Sequence, residues 1–450
     1  MQTHFTAAQL SDPGIAEANA IITTCVHYGF CTNTCPTYVL TRDENESPRG
    51  RIDLIRTMLE RGGAPDAKTV RHLDTCLSCL SCMTTCAVKV DYVHLIDRAR
   101  IHIEENFRRP IADRTLRFVI ANVIPYPRRF ALALSAARWG TSLRPVLPAR
   151  LRALLDAVPD IVETDILKAA VYPAQGERKK RVALLAGCAQ QVLSANINAA
   201  TIRLLNRAGC EVIVAPGSGC CGSLTLHMGR ESDARGSAAR NILAWSAEFY
   251  GKGLDAVVVN ASGCGTTVKD YGHLFAHDAQ LAVHAKRIGA LTRDVSEILD
   301  EIGLPAPVAR RAYRVAYHDP CSMQHGQKVT QQPRALLAAA GFRVIDVPEA
   351  HFCCGSAGTY NLLQPETATT LGRRKSGHIA STDPDIVATG NIGCIAQLQR
   401  YLETPVVHTV ELLDWATGGP CPPALAGRAL RAPRDDATAP QPSGGAEGFW

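Results

Sequence analysis

The sequence predicts a multidomain α+β and α/β protein, in which a small helical domain built around cysteines precedes two tandem α/β units. Three observations lead there. At 450 residues the chain exceeds what one ordinary core organises, so two to four domains are expected. The 17 cysteines are unevenly spread: seven fall between residues 20 and 95, none between 96 and 187, and nine between 188 and 394. The third observation is an internal repeat in the second half of the chain.

Composition excludes several classes of function. With 46% hydrophobic and 20% charged residues the chain reads as globular, and a net charge of +6 is too weak to argue for nucleic acid. No Lys/Arg run is interleaved with aromatics. The residues before Cys25 include Asp12 and Glu17 and no charged start leading into an apolar stretch, so a secretory signal is not expected. No uninterrupted apolar window of about 18 residues suits a membrane span. A cytoplasmic location follows as the expectation, and clustered thiols in a reducing compartment point to metal or redox chemistry rather than disulfides. The adjacent pairs Cys220-Cys221 and Cys353-Cys354 strengthen this, because neighbouring cysteines make strained disulfides yet can both reach a multi-iron cluster.

The first domain is expected over residues 1–110. "CLSCLSCMTTC" places Cys76, Cys79, Cys82 and Cys86 at C-x2-C-x2-C-x3-C spacing. Two-residue gaps let a tight turn wrap three thiolates round a cube of iron and sulfide, while the fourth cysteine serves the other cluster of a two-cluster protein. Structural zinc is the competing use of such spacing. The earlier run "CVHYGFCTNTCP" has the same frame with Cys25, Cys31 and Cys35, but Tyr28 stands where the second ligand belongs. By the crossover rule Cys35, Cys76, Cys79 and Cys82 hold cluster II, and Cys25, Cys31 and Cys86 are left for cluster I. The expectation is a helical ferredoxin-like two-cluster domain with two [4Fe-4S] sites. The first is a three-iron [3Fe-4S] form or a cubane whose fourth iron has only a labile ligand.

Ionising a phenol at neutral pH costs roughly 4 kcal/mol, which an iron ion could offset, but a tyrosine ring is long enough to push the loop off the cube. Packing of the remaining thiols without a first cluster is the alternative.

Residues 111–178 are expected to form a helical connector, with prolines at 110, 125, 127, 145 and 148 marking its turns. Twelve arginines against three acids between Arg98 and Arg152 give it a basic surface, either a solvated helix face or a docking face for a partner or anionic membrane.

The repeats are expected over 179–304 and 311–417. "RVALLAGC" (Arg181 to Cys188) answers "RVAYHDPC" (Arg314 to Cys321), thirty-one residues separate each from a CCG triplet, and "EILD" matches "ELLD" near the ends. Short β-branched runs alternate with helical stretches, so each copy reads as a small, largely parallel sheet with cysteines at strand ends. The first copy carries Cys188, Cys220, Cys221 and Cys264, and the second Cys321, Cys353, Cys354 and Cys394. Gly222 and Gly355 let consecutive thiols converge on a cluster or a zinc ion; buried free thiols are the alternative. "GSGCCG" fits a dinucleotide fingerprint, but only CCG recurs in the second copy, so flavin is expected on another chain. His318, Asp319 and His351 read equally as supporting, core or reactive residues, and no catalytic residue is assigned. Residues 418–450 are Pro/Ala/Gly-rich and expected to be disordered.

"CVHYGFCTNTCPTYVLTRDENESPRGRIDLIRTMLE", "LDTCLSCLSCMTTC" and the paired CCG repeats together resemble the iron–sulfur subunit of bacterial glycolate oxidase, from about residue 20 to 415. The resemblance implies an electron-transfer subunit in a hetero-oligomer. FAD-containing partner subunits would oxidise glycolate to glyoxylate, with D-lactate to pyruvate as a further substrate, and electrons would pass to quinone or another membrane acceptor. The chain itself would be peripheral on the cytoplasmic side of the inner membrane. Cluster ligands carry over to Cys25, Cys31, Cys35, Cys76, Cys79, Cys82 and Cys86, with position 28 the departure. Similar CCG domains in heterodisulfide reductase end in C-x-x-C, whereas Ala261 and Asn391 stand at the first of those positions here. The iron–sulfur subunit of anaerobic glycerol-3-phosphate or lactate dehydrogenase shares this outline, and a zinc-stapled structural module is the alternative of another class.

Overall fold

The computed structural model describes residues 1–139, 162, 164, 166–309, 311–428 and 430. Much of the expected connector, the C-terminal arginines of the basic stretch and most of the tail lie outside these described residues.

Up to Trp139 the described chain forms helices and no strand. Four of them (Pro13–Thr24, Pro36–Thr41, Pro48–Arg61 and Pro127–Trp139) begin with proline, where the missing N–H has no intrahelical acceptor to lose. Asp12 caps the helix Pro13–Thr24 through the Gly14 and Ile15 N–H groups, and Ser47 caps Pro48–Arg61 through Gly50. With Tyr92–Asn106 these helices enclose Ile22, Ile55, Leu59, Leu95 and Ile96, and Cys25, Cys76 and Cys82 belong to the same core. The thiols are thus fixed by the packing that holds the domain together.

Two sheets follow. The first contains β1 (Ala170–Tyr172), β2 (Lys180–Leu184), β3 (Cys210–Val214), β4 (Ala256–Val259) and β5 (Thr292–Asp294), in the order β1-β3-β2-β4-β5. The second contains β6 (Arg314–Tyr317), β7 (Arg343–Asp346), β8 (Ile386–Thr389) and β9 (Val406–His408), in the order β7-β6-β8-β9. Every pairing is parallel except β1 with β3. Without β1 the two orders coincide, so the sequence repeat is a repeat of topology. The all-apolar β4, "AVVV", is buried along its length, as a parallel strand covered on both faces must be. The edge strand β1 lies within the stretch expected to be connector, with Val171 opposite Ile213.

The repeats share one interior. Val182 and Val258 of the first sheet belong to the same apolar cluster as Val315 and Val387 of the second. At its rim, Arg203 and Arg207 from the helix Asn196–Arg207 both pair with Asp414, whose side chain is only 1% exposed. Across the front, the helix Ile111–Val123 packs Ile120 and Ala121 on Met228, with Leu224 and Leu362 alongside, so it touches the segments following both CCG triplets. Among the described residues no helix is long and apolar enough to cross a membrane.

Candidate cluster sites

The two ferredoxin-type loops are conformational twins. In the second, Ser78 (φ 49°) and Leu80 (φ 63°) take left-handed backbone conformations; in the first, His27 (φ 58°) and Gly29 (φ 82°) do so at the equivalent positions. Each non-glycine residue held this way costs roughly 1–2 kcal/mol, and the turn it makes brings alternate thiols to one side. A short helix closes each loop, Phe30–Asn33 and Ser81–Thr85.

The second loop's Cys76, Cys79 and Cys82 line one small pocket together with Cys35, contributed by the first run. All four are buried. Burial pushes the Cys79 and Cys82 thiols well above the usual thiol range, so ionising them requires nearby positive charge. Arg51 brings a positive charge to this pocket on the Cys35 side. Its side chain is 1% exposed, and Nη2 meets Glu46 at 2.6 Å while Nε donates to the His72 carbonyl and Nη1 approaches Cys35 Sγ at 3.8 Å. Glu46 is engaged from its other oxygen by His72 Nδ1 at 2.7 Å. The Tyr92 hydroxyl lies 3.8 Å from Cys76 Sγ. Four converging thiols, a buried cation and a wall free of other ligands fit a cubane, whose iron would provide the remaining charge.

A second pocket is lined by Cys25, Cys31 and Cys86, with His27, Tyr28, Gly29 and Arg49. Cys31 is pushed up to about 11, first by burial, with Cys25, Cys86 and Cys35 adding to it and a backbone hydrogen bond from Arg49 opposing. Tyr28 occupies the position of Cys79, yet its side chain is 67% exposed where Cys79 is 9% exposed. The loop is not displaced by the long side chain; the ring turns to solvent beside Phe30, at 6.1 Å between centroids. Three thiols and, among the residues lining this pocket, no fourth thiol fit a three-iron cluster or a cubane with one open corner.

The CCG triplets also match one another. Gly222 (φ 89°) and Gly355 (φ 86°) turn the chain so tightly that a Cβ would come within 2.7 Å of the carbonyl oxygens of Ala234 and Ala368, respectively. Their N–H groups donate to Cys220 Sγ at 3.5 Å and Cys353 Sγ at 3.4 Å. In the first repeat Cys188, Cys220, Cys221 and Cys264 are linked thiol to thiol; contacts from Cys188 and Cys221 hold Cys220 well below its ordinary range. In the second, Cys321 and Cys353 lie 3.6 Å apart, Cys354 contacts Cys394, and Asn391 Nδ2 reaches Cys394 Sγ at 3.5 Å.

The sites are neighbours. Leu77 and Cys79 share one buried apolar cluster with Cys353, Tyr360 and Leu371, and Cys321 packs against it. Cys86 also borders a cleft of about 480 Å³ between the first domain and both repeats, lined by Lys89, Lys269 and Lys328 and by Asp97 and Asp270. Arg51, Tyr92 and this cleft were not among the expected site features. "SPRGRI" contains Arg51, but nothing in the spacing of a helix tells which arginine turns inward against thiols.

The family description "4Fe-4S dicluster domain" matches residues 24–90, and "Cysteine-rich domain" matches residues 182–269 and 315–399. The glycolate oxidase iron-sulfur subunit of Escherichia coli is 40% identical over 416 residues, covering 92% of this chain and 99% of that protein. The probable glycolate oxidase iron-sulfur subunit of Bacillus subtilis is 31% identical over 425 residues, covering 88% and 94%. A crystal structure of a hypothetical protein from Helicobacter pylori is similar in fold alone, with a TM-score of 0.54 at 9% identity over 91% of this chain and 73% of that one. With its paired loops, its two thiol-lined pockets and its duplicated CCG sheets, this chain belongs to the family of glycolate oxidase iron–sulfur subunits.

Proposed function

We propose that this chain is the electron relay of a glycolate-oxidising complex. FAD-containing partner subunits remove two electrons and two protons from glycolate, leaving glyoxylate, and the clusters carry the electrons singly to quinone or another membrane acceptor. D-Lactate, giving pyruvate, has the same 2-hydroxy-acid chemistry. The chain works in a hetero-oligomer, peripheral to the cytoplasmic face of the membrane.

The observation that carries this reading is the contact between the pocket of Cys35, Cys76, Cys79 and Cys82 and the thiols of the second repeat, across which Cys79 and Cys353 share one buried apolar cluster. Closely spaced metal centres in a water-poor interior are what single-electron transfer needs, and substrate oxidation is left to the flavin. Cys35, Cys76, Cys79 and Cys82 hold a [4Fe-4S] cluster, while Cys25, Cys31 and Cys86 hold a three-iron cluster or a cubane with a labile corner. The cleft beside Cys86 supports an approach for a redox partner to this first cluster.

The test is anaerobic purification of the native complex with iron and flavin quantified. Glycolate should bleach the visible cluster absorbance of this chain only when the flavoprotein is present. Bleaching without any flavoprotein, or acceptor reduction at full rate by a complex stripped of these clusters, overturns the proposal.

A further inference from the structure

The helix Ile111–Val123 has two sides of opposite character. Arg117, Ile120 and Ala121 are buried on its inner side, and the latter two pack on Met228. Its outer side carries Ile111, Arg114 and Phe118, which their spacing of three and four residues stacks on one face. The next helix, Pro127–Trp139, repeats the pattern: Leu132 stands one turn beyond Arg128 and Arg129, and all three are exposed. Tyr126, at the turn joining the helices, is exposed as well and lies under the Arg129 guanidinium at 4.3 Å. Ile111 (75%) and Leu132 (73%) are the most exposed large apolar side chains among the described residues. A single such residue on a surface needs no explanation; this concentration within residues 111–132 does, because the outer side of a helix in water is ordinarily polar.

The charge here has one sign. Between Phe107 and Trp139 the sequence holds seven arginines and a single acid, Asp113. That acid is engaged by the inward arginines, Arg117 at 3.2 Å and Arg109 at 3.3 Å, both only 8% exposed. Arg114, Arg128 and Arg129 stay at the surface among the apolar side chains. We propose that the outer side of these two helices is the surface by which the chain docks on an anionic phospholipid membrane. The proposal deepens the reading of a peripheral electron relay and rests on it.

Stable attachment to a bilayer without a spanning helix takes two signals, positive charge for the headgroups and apolar side chains for the acyl boundary, and this face supplies both. Guanidinium groups pair with lipid phosphates while their stems lie along the apolar neighbours, which leaves Phe118 and Leu132 to enter the boundary layer. Positive charge spread over two helices is complementary to a continuous negative surface. The position is also suited to the relay. On its inner side the first of these helices touches Leu224 and Leu362, in the segments that follow the two CCG triplets, so docking brings the cysteine-rich half of the chain to the membrane that holds the acceptor.

Flotation of the full chain with phospholipid vesicles, after purification without oxygen, is the test. The wild type should rise with vesicles containing phosphatidylglycerol, stay behind with vesicles of phosphatidylcholine alone, and be released by high salt. Arg114→Ala and Arg128→Ala should each weaken binding about fivefold. Leu132→Trp should shift its emission to the blue on the anionic vesicles, while Leu243→Trp, at an exposed position of the helix Glu231–Gly251, should not. The visible cluster spectrum reports the folding of each variant, and should an arginine variant fold poorly the tryptophan pair still decides. Equal binding to both kinds of vesicle or to neither, arginine variants that bind as the wild type does, or a Leu132→Trp emission that vesicles leave unmoved overturns the proposal. So does release of the flavoprotein from the native complex by the arginine variants, which would make this face a protein interface. Glycolate-dependent bleaching is read in solution without vesicles, so the relay and this surface fail separately.

Discussion

His94 donates from Nε2 to Asp270 at 2.9 Å, joining the helix Tyr92–Asn106 of the first domain to the first cysteine-rich repeat. Its other nitrogen meets Asp91 at 2.7 Å, and its ring stacks at 3.5 Å on His273, which in turn reaches Glu17 at 2.7 Å. Burial alone would lower the pKa of His94. The bonds to Asp270 and Asp91 outweigh burial and push it up to about 10.

The sign of the pH dependence follows. With the folded pKa raised from 6.5 to about 10, the contribution of His94 is complete below pH 6.5 and is lost as pH rises towards 10. Thermal melts between pH 7 and 10 should therefore fall more steeply for the wild type than for His94→Gln. Parallel slopes for the two proteins would show that this ion pair does not fasten the domains.

Arg51→Met should be severe. It removes the guanidinium partner of the buried Glu46, a loss of about 3–5 kcal/mol for a broken buried pair. Urea denaturation of the anaerobic protein measures it. Adding Glu46→Gln should restore part of the stability, and a double variant as unstable as the single one would contradict the pairing at 2.6 Å.

Tyr28→Cys should complete the first ligand set. Because His27 and Gly29 already hold the loop in the conformation of its twin, the new thiol needs no backbone movement. Iron content should rise by about one per chain and any three-iron EPR signal of the oxidised protein should vanish, since the fourth corner gains its thiolate. An unchanged signal would mean that the loop cannot close on a cube.

Gly222→Ala and Gly355→Ala should each cost about 2–4 kcal/mol, from a left-handed backbone and a Cβ forced against a carbonyl oxygen. Calorimetry on each variant checks this. The same substitution at Gly217, where φ is +83° but no atom lies within 4 Å, should cost less.

Spacing is local, so what depends on spacing was readable from the chain: the C-x2-C-x2-C frame, the missing thiol at position 28 and the matching of Cys188 with Cys321. The parallel sheets followed from β-branched runs recurring in step. What escaped depends on contacts far apart in sequence. Nothing near Val171 announces that it pairs with Ile213, and nothing near His94 announces Asp270. Arg51 is one arginine among several in its helix, and only the closed structure shows that it lies against Cys35. The outward turn of the Tyr28 ring was likewise invisible, because the expectation weighed the length of the side chain and not the freedom of a loop at the surface.

The interior common to both sheets has a consequence for ancestry and for engineering. A duplicated gene segment usually leaves two modules that can be cut apart, yet here severing the chain near residue 305 would bare Ile197 and Leu204 of the helix Asn196–Arg207 on one piece and Val410 and Leu413 of the helix Thr409–Ala416 on the other. The halves have become mutually obligate, so neither copy is free to be lost, swapped or shuffled alone.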